Sequence, residues 1–165
     1  VTIEASQLAL AVAVGLGATL VMDVVAIVLN RALNVPLPNM CLVGRWVRYM
    51  PDGVFTHGSI AKAPSKSAEC TVGWIAHYVI GAIFAIILVL LVSPAWLRQP
   101  TLLPPLIFGV VTVAVPFFVM HPSFGMGVAA SKTANPAQAR LRSVMNHAIF
   151  GLGLYVSAVA LSVLR

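Results

Sequence analysis

The chain has 165 residues, 60% of them hydrophobic and only 8% charged, with a mean hydropathy of +0.99; a soluble domain carries about a quarter charged residues. Such a composition excludes a soluble globular domain and predicts a single integral membrane domain over residues 1–165. The net charge of +6 is not read as a nucleic-acid signal, because its basic residues sort by loop along the chain.

Four apolar runs, at about 7–30, 71–93, 103–121 and 143–164, each approach or exceed the ~20 helical residues needed to cross a hydrocarbon core. The first is kept as a span rather than a cleaved signal, because Glu4 stands where a basic segment would be and the run exceeds the usual ~7–15 apolar residues. Along it Gln7, Ala11, Gly15, Thr19 and Asp23 recur at every fourth position. A stripe of small and polar side chains is where membrane helices approach closely, so Asp23 is expected to face the other helices.

Between Asn34 and Ala68 the prolines Pro36, Pro38, Pro51 and Pro64 break any long helix. Within this stretch residues 39–50 alternate Leu42, Val43, Trp46, Val47 and Met50 with Arg45 and Arg48. The pattern predicts a short amphipathic helix lying at the membrane surface, anchored by Arg45, Trp46, Arg48 and Tyr49. Trp74 and Trp96 are expected at the two interfaces of the second span. That span sets Gly73, His77, Gly81 and Ala85 at four-residue steps, which turns His77 toward a neighbouring helix. The short turn from Ser93 to Pro100 makes spans two and three antiparallel neighbours. Pro116 lies inside span three and should kink it. In the fourth span Ser143, His147, Gly151 and Tyr155 repeat the fourth-residue stripe, with residues 137–142 leading into it as helix.

Arg31, Arg45, Arg48, Lys62 and Lys66 fall between spans one and two, and Lys132, Arg140 and Arg142 between three and four, against Arg98 and Arg165 on the other side. The positive-inside rule then makes both basic loops cytoplasmic and both termini periplasmic in a bacterial inner membrane. Cys41 and Cys70 would lie on the reducing side, so no structural disulfide is expected between them.

The two halves resemble one another. Lys62 precedes His77 by fifteen residues, and Lys132 precedes His147 by the same fifteen. Phe55-x-x-Gly58 has a counterpart in Phe124-x-x-Gly127 after a one-residue shift. The expected fold is therefore all-α, a four-transmembrane-helix bundle of two tandem hairpins, about 7–93 and 103–165, the first enlarged by an insertion at about 34–54.

On this topology Asp23, His77, His121 and His147 share the cytoplasmic third of the membrane, with Lys62 and Lys132 at the mouth. Ionisable groups at that depth are costly and normally face the protein interior and pair. Three uses compete: a purely structural cluster, a ligand site, and a proton or solute path. As ligands, His77 and His147 would be the axial pair of a haem b, or Asp23 with the three histidines would hold a transition metal. His57 reads as a turn residue. No nucleophile motif, phosphate-binding glycine loop or metalloprotease helix is present among the 165 residues. The expectation is a protein without enzymatic activity of its own. It would be an accessory subunit of a larger membrane assembly, a homo-oligomer or a small-ligand binder, with a haem or metal electron-transfer protein and a proton-coupled transporter as the alternatives.

The segments Gly17-Ala18-Thr19-Leu20-Val21-Met22-Asp23, Leu42-Val43-Gly44-Arg45-Trp46, Gly73-Trp74-Ile75-Ala76-His77-Tyr78, Pro116-Phe117-Phe118 and His147-Ala148-Ile149-Phe150-Gly151-Leu152-Gly153-Leu154-Tyr155 resemble the bacterial membrane proteins grouped as domain of unknown function 2938. The resemblance implies a small multi-span inner-membrane protein. It carries no catalytic or cofactor residue over to any position.

Overall fold

A computed structural model describes residues 3–163. Among them helices are the only regular secondary structure, with no strand. Helix α1 spans Ala5–Leu33, α2 Met40–Tyr49 and α3 Glu69–Val92. The third span, Leu103–Ser123, is composite: α4 (Leu103–Val111), a π-helical turn (Pro116–Met120) and a last short turn, α5 (His121–Ser123). Helix α6 runs over Pro136–Val163. The helices α1, α3 and α6 and the composite third span are each long and apolar enough to cross a membrane.

Local chemistry sets the boundaries. Glu4 and Gln7 form a reciprocal capping box at the start of α1, which satisfies amide donors that a first helical turn leaves orphaned. The helix ends where Asn34 turns left-handed (φ 54°) and its amide closes back on Asn30 and Leu29, an arrangement asparagine tolerates better than most residues. Asn39 caps α2 by accepting from the Cys41 amide at 3.1 Å. In the third span the expected kink at Pro116 takes the form of the π-turn. Proline brings no amide to continue the ladder, and the His121 amide reaches back to the carbonyl of Pro116.

The chain divides into two compact units. The core unit comprises residues up to Leu37, Tyr78–Val111, and those from Asn146 onward. Here Ala11, Val14 and Ala18 of α1, Ala85, Leu88 and Val89 of α3, and Phe150, Leu154 and Ala158 of α6 form one buried cluster with Trp96 and Leu97. Phe84 meets Phe108 and Phe150 edge-on, at 6.2 Å each. The small-residue stripes do what their spacing predicts. A Cβ on Gly15 would meet the Gly81 backbone, and one on Gly151 the backbone of Pro105 and Leu106. Without a hydrophobic drive between helices in lipid, such backbone proximity is what lets dispersion forces hold them. The opposite faces stay apolar and exposed, as with Leu16, Leu20 and Val24 of α1 and Ile75, Ile83 and Leu91 of α3.

Trp96, expected at one interface of the second span, turns its side chain inward. Its ring is buried in the core cluster, 7% exposed, with Nε1 donating to the Thr101 carbonyl at 3.1 Å, so the indole closes the α3–α4 turn from within. Trp74, by contrast, is 45% exposed.

The loop unit comprises Pro38–His77 and Thr112–Met145. It holds α2, the start of α3, the π-turn, and both connecting loops.

Candidate functional site

In the core unit the stripe of α1 ends on Asp23, whose Oδ2 accepts a hydrogen bond from the hydroxyl of Tyr78 at 2.9 Å. Tyr78 was not singled out by the sequence. Its position directly after His77 placed it off the stripe, yet it supplies the carboxylate's donor. Four residues below Asp23, Thr19 is buried and its hydroxyl donates to the Gly15 carbonyl at 2.9 Å, the usual way a threonine inside a helix satisfies itself. On α6 the imidazole of His147 hydrogen-bonds the backbone of Gly109. Gly109 lies hard against the backbone of α6 at His147 and Gly151, a closeness only a glycine permits.

The other two candidate histidines belong to the loop unit. His77 is half-buried and meets the ring of Trp74 edge-on at 5.8 Å. His121 follows the π-turn, lies 5.8 Å from the ring of Phe117, and keeps a buried Nδ1 with no hydrogen-bond partner among the described residues. Lys62 and Lys132 are exposed. Among the described residues no group of three or more His, Cys, Asp and Glu side chains stands together as a metal centre would need.

The densest polar construction lies elsewhere, where α2 meets the first turns of α3. Gly44 and Gly73 are both buried. A Cβ on Gly44 would strike the carbonyl of Glu69, and one on Gly73 the carbonyl of Met40. The backbones are thus in direct contact, and one turn away Cys41 and Cys70 are joined as a disulfide, their Cα atoms 3.9 Å apart. This corrects the expectation of two unpaired thiols. That expectation weighed the compartment alone, whereas the repeated spacing Cys41-x-x-Gly44 and Cys70-x-x-Gly73 sets each cysteine beside its glycine on one helix face, so the two faces mate.

Arg45 completes the construction, and it too departs from its expected role. Instead of reaching for headgroups, its Nε and Nη2 donate to the two carboxylate oxygens of Glu69 at 2.8 Å each, and Nη1 donates to the carbonyls of Ile60 and Ala63 at 3.1 and 2.8 Å. The side chains are 13% and 12% exposed. The hydrogen bond to Glu69 raises Arg45 above its already high value, so the guanidinium stays charged at any working pH. The Glu69 carboxylate also accepts from the Lys66 amide at 2.8 Å. A planar guanidinium serves this geometry better than an ammonium, because its fork engages a carboxylate and several carbonyls together.

Around it the loop folds onto itself. The Trp46 indole donates to the Phe55 carbonyl at 2.8 Å and meets Phe124 edge-on at 5.8 Å. The Tyr49 hydroxyl donates to the Pro64 carbonyl at 3.0 Å, and its ring lies 4.3 Å beneath the ammonium of Lys66. His57, expected as a turn residue, is half-buried with its ring 4.8 Å from that of Tyr49. The loops that carry the matching Phe-x-x-Gly motifs are hydrogen-bonded to each other: His57 N donates to Ser123 O at 2.8 Å and Ile60 N to Phe124 O at 3.1 Å. Gly125, at φ 82°, rests against the Gly58 backbone.

Residues 12–161 match the model of the family described as "Protein of unknown function (DUF2938)". No curated protein and no solved structure matches the chain.

Proposed function

The chain belongs to the DUF2938 family, and we propose that this member is a non-enzymatic integral membrane protein serving as an accessory subunit of a larger membrane assembly. The hydrogen bond from Tyr78 to Asp23 carries this reading, since the one acidic side chain in the middle of a span is engaged by a donor of the same chain. Residues kept for chemistry in lipid normally line a cavity or relay path; one satisfied by its neighbour helix specifies packing. The exposed apolar rows of α1 and α3 offer surface for lipid and for helices of other subunits.

The orientation belongs to the same proposal. The basic loops face the cytoplasm of a bacterial inner membrane, as the charge asymmetry supports, and α2 lies along that surface. The pairing of the two Phe-x-x-Gly loops supports an origin from two tandem hairpins. A second reading, haem ligation with His147 as an axial ligand, is favoured by one observation. The bond between His147 and the Gly109 backbone is of the kind that fixes the ring of a ligand histidine.

Extraction of native membranes in a mild detergent, followed by sizing and quantitative mass spectrometry, tests these readings. An accessory subunit co-migrates with a larger membrane protein at fixed stoichiometry. A homo-oligomer that moves protons or a solute in proteoliposomes overturns that reading, and a Soret band with stoichiometric iron puts the haem reading in its place.

A further inference from the structure

We propose that the Cys41–Cys70 pair is a reversible thiol–disulfide exchange site on the cytoplasmic face, opened by a dithiol reductant and reclosed by an oxidant of the disulfide class. The inference goes beyond the accessory role and rests only on the orientation given with it. On that orientation the disulfide joining α2 to α3 stands in a reducing compartment, where disulfides are characteristically transient and redox-sensing rather than structural.

The surroundings suit exchange. Cys70 is exposed and Cys41 half-buried, so an incoming thiolate reaches the sulfur of Cys70. A bond forms between that thiol and Cys70 Sγ, the Cys41–Cys70 bond breaks, and Cys41 leaves as a thiolate. The reductant's second thiol then attacks its own sulfur in the mixed disulfide and releases Cys70. Two electrons and two protons pass to the chain, and the dithiol leaves as a disulfide. Both leaving thiolates sit in the first turn of a helix, Cys41 in α2 and Cys70 in α3, where the helix dipole favours the anion.

What makes the site reversible is a second, redox-independent tie. Arg45 holds Glu69 and the carbonyls of Ile60 and Ala63, and the backbones interlock at Gly44 and Gly73. Reduction therefore leaves the two thiols facing each other, poised to reclose, instead of releasing α2.

The full chain in native membrane vesicles is equilibrated with mixtures of reduced and oxidised glutathione, acid-quenched, and alkylated with a polyethylene-glycol maleimide. The expected result is a single transition from no adduct to two per chain, both cysteines moving together, and full return when the buffer is made oxidising again. A bond that persists in buffers poised like the cytosol, or thiols that do not reclose, overturns the proposal. Cys70→Ser is the alkylation control, with one adduct expected in the reducing buffers, since an oxidising one caps the lone Cys41 with glutathione. A second arm applies a membrane-impermeant maleimide to reduced vesicles of either orientation. Labelling is expected in inside-out vesicles only, and labelling from the opposite face overturns the site by placing it in an oxidising compartment. Failure of the first arm leaves both the orientation and the accessory role standing, whereas labelling from the opposite face overturns the orientation as well. The stoichiometry that tests the accessory role is read by neither arm, so the failures are distinguishable.

Discussion

Gly44 and Gly73 occupy each other's missing side-chain space. Each lies where the partner helix's backbone carbonyl passes, that of Glu69 in one direction and that of Met40 in the other. The contact admits no intermediate size, since even a methyl group would overlap a main-chain oxygen that has no rotamer through which to escape. Gly73→Ala or Gly44→Ala should therefore force α2 away from α3, at a cost toward or beyond the ~1–3 kcal/mol usual for overpacking. Non-reducing gels would show the disulfide yield falling together with the unfolding temperature. A variant that keeps both would mean that the crossing is looser than described.

Arg45 and Glu69 are mostly buried, and a buried pair is costly to break by halves. Arg45→Met strands a carboxylate, and Glu69→Gln leaves the guanidinium without its counter-charge. Each is expected to destabilise the loop unit by about 3–5 kcal/mol. Replacing both residues with apolar side chains of similar volume should recover much of that loss. Arg45→Lys should recover little, because a single ammonium cannot match the two-oxygen grip and the carbonyl contacts together. Thermal unfolding in detergent, run as a double-mutant cycle, measures all four variants.

The Lys66–Asp52 pair forms a contrast. It is short, at 2.6 Å, but its side chains are 30% and 53% exposed. Exposed pairs contribute about 0.2–1 kcal/mol and weaken with salt. Asp52→Asn should accordingly shift stability by less than about 1 kcal/mol, and raising the ionic strength should erase the difference from the unmodified protein. A larger or salt-insensitive loss would count against this view.

Asp23 and Tyr78 test the reading of the spans. Hydrogen bonds between membrane helices average about 0.6 kcal/mol, with a maximum near 1.7 kcal/mol. Tyr78→Phe should fall in that range and leave assembly with other subunits intact. If Tyr78→Phe instead abolishes a measurable transport or binding activity while the fold persists, the pair is a working site rather than a packing one.

Much of the architecture was legible because lipid imposes a simple code. Spans declare themselves by length and apolarity, and the stripe from Ala11 through Thr19 pointed inward as its spacing required. Asn39 capped α2 where the amphipathic pattern began. Legibility failed where a side chain's fate depends on a partner far along the chain. Nothing near Arg45 announces Glu69, twenty-four residues on, so a cationic residue on an amphipathic helix was assigned to headgroups. Trp96 was assigned to the interface by its place at a helix end, while its indole was needed to close a turn. The cysteines are a different kind of miss. The twin Cys-x-x-Gly spacing was present in the sequence, and a rule about compartments was allowed to outweigh it.

The π-turn at Pro116–Met120 has one more consequence, for counting. A turn that closes over five residues rather than four holds one residue more than its neighbours, and each residue of an α-helix advances the side-chain direction by about 100°. Every position after the turn is thus out of phase with a heptad or fourth-residue count begun before it. His121 therefore points where an uninterrupted α-helix would aim the next position back. Deleting a single residue from 117–120 would restore the ordinary helical ladder and leave the bearing of the imidazole unchanged, whereas straightening the turn with all its residues kept would swing the ring by about 100°. Proline and the extra residue together work as a built-in vernier, setting the bearing of that ring independently of the span that leads to it.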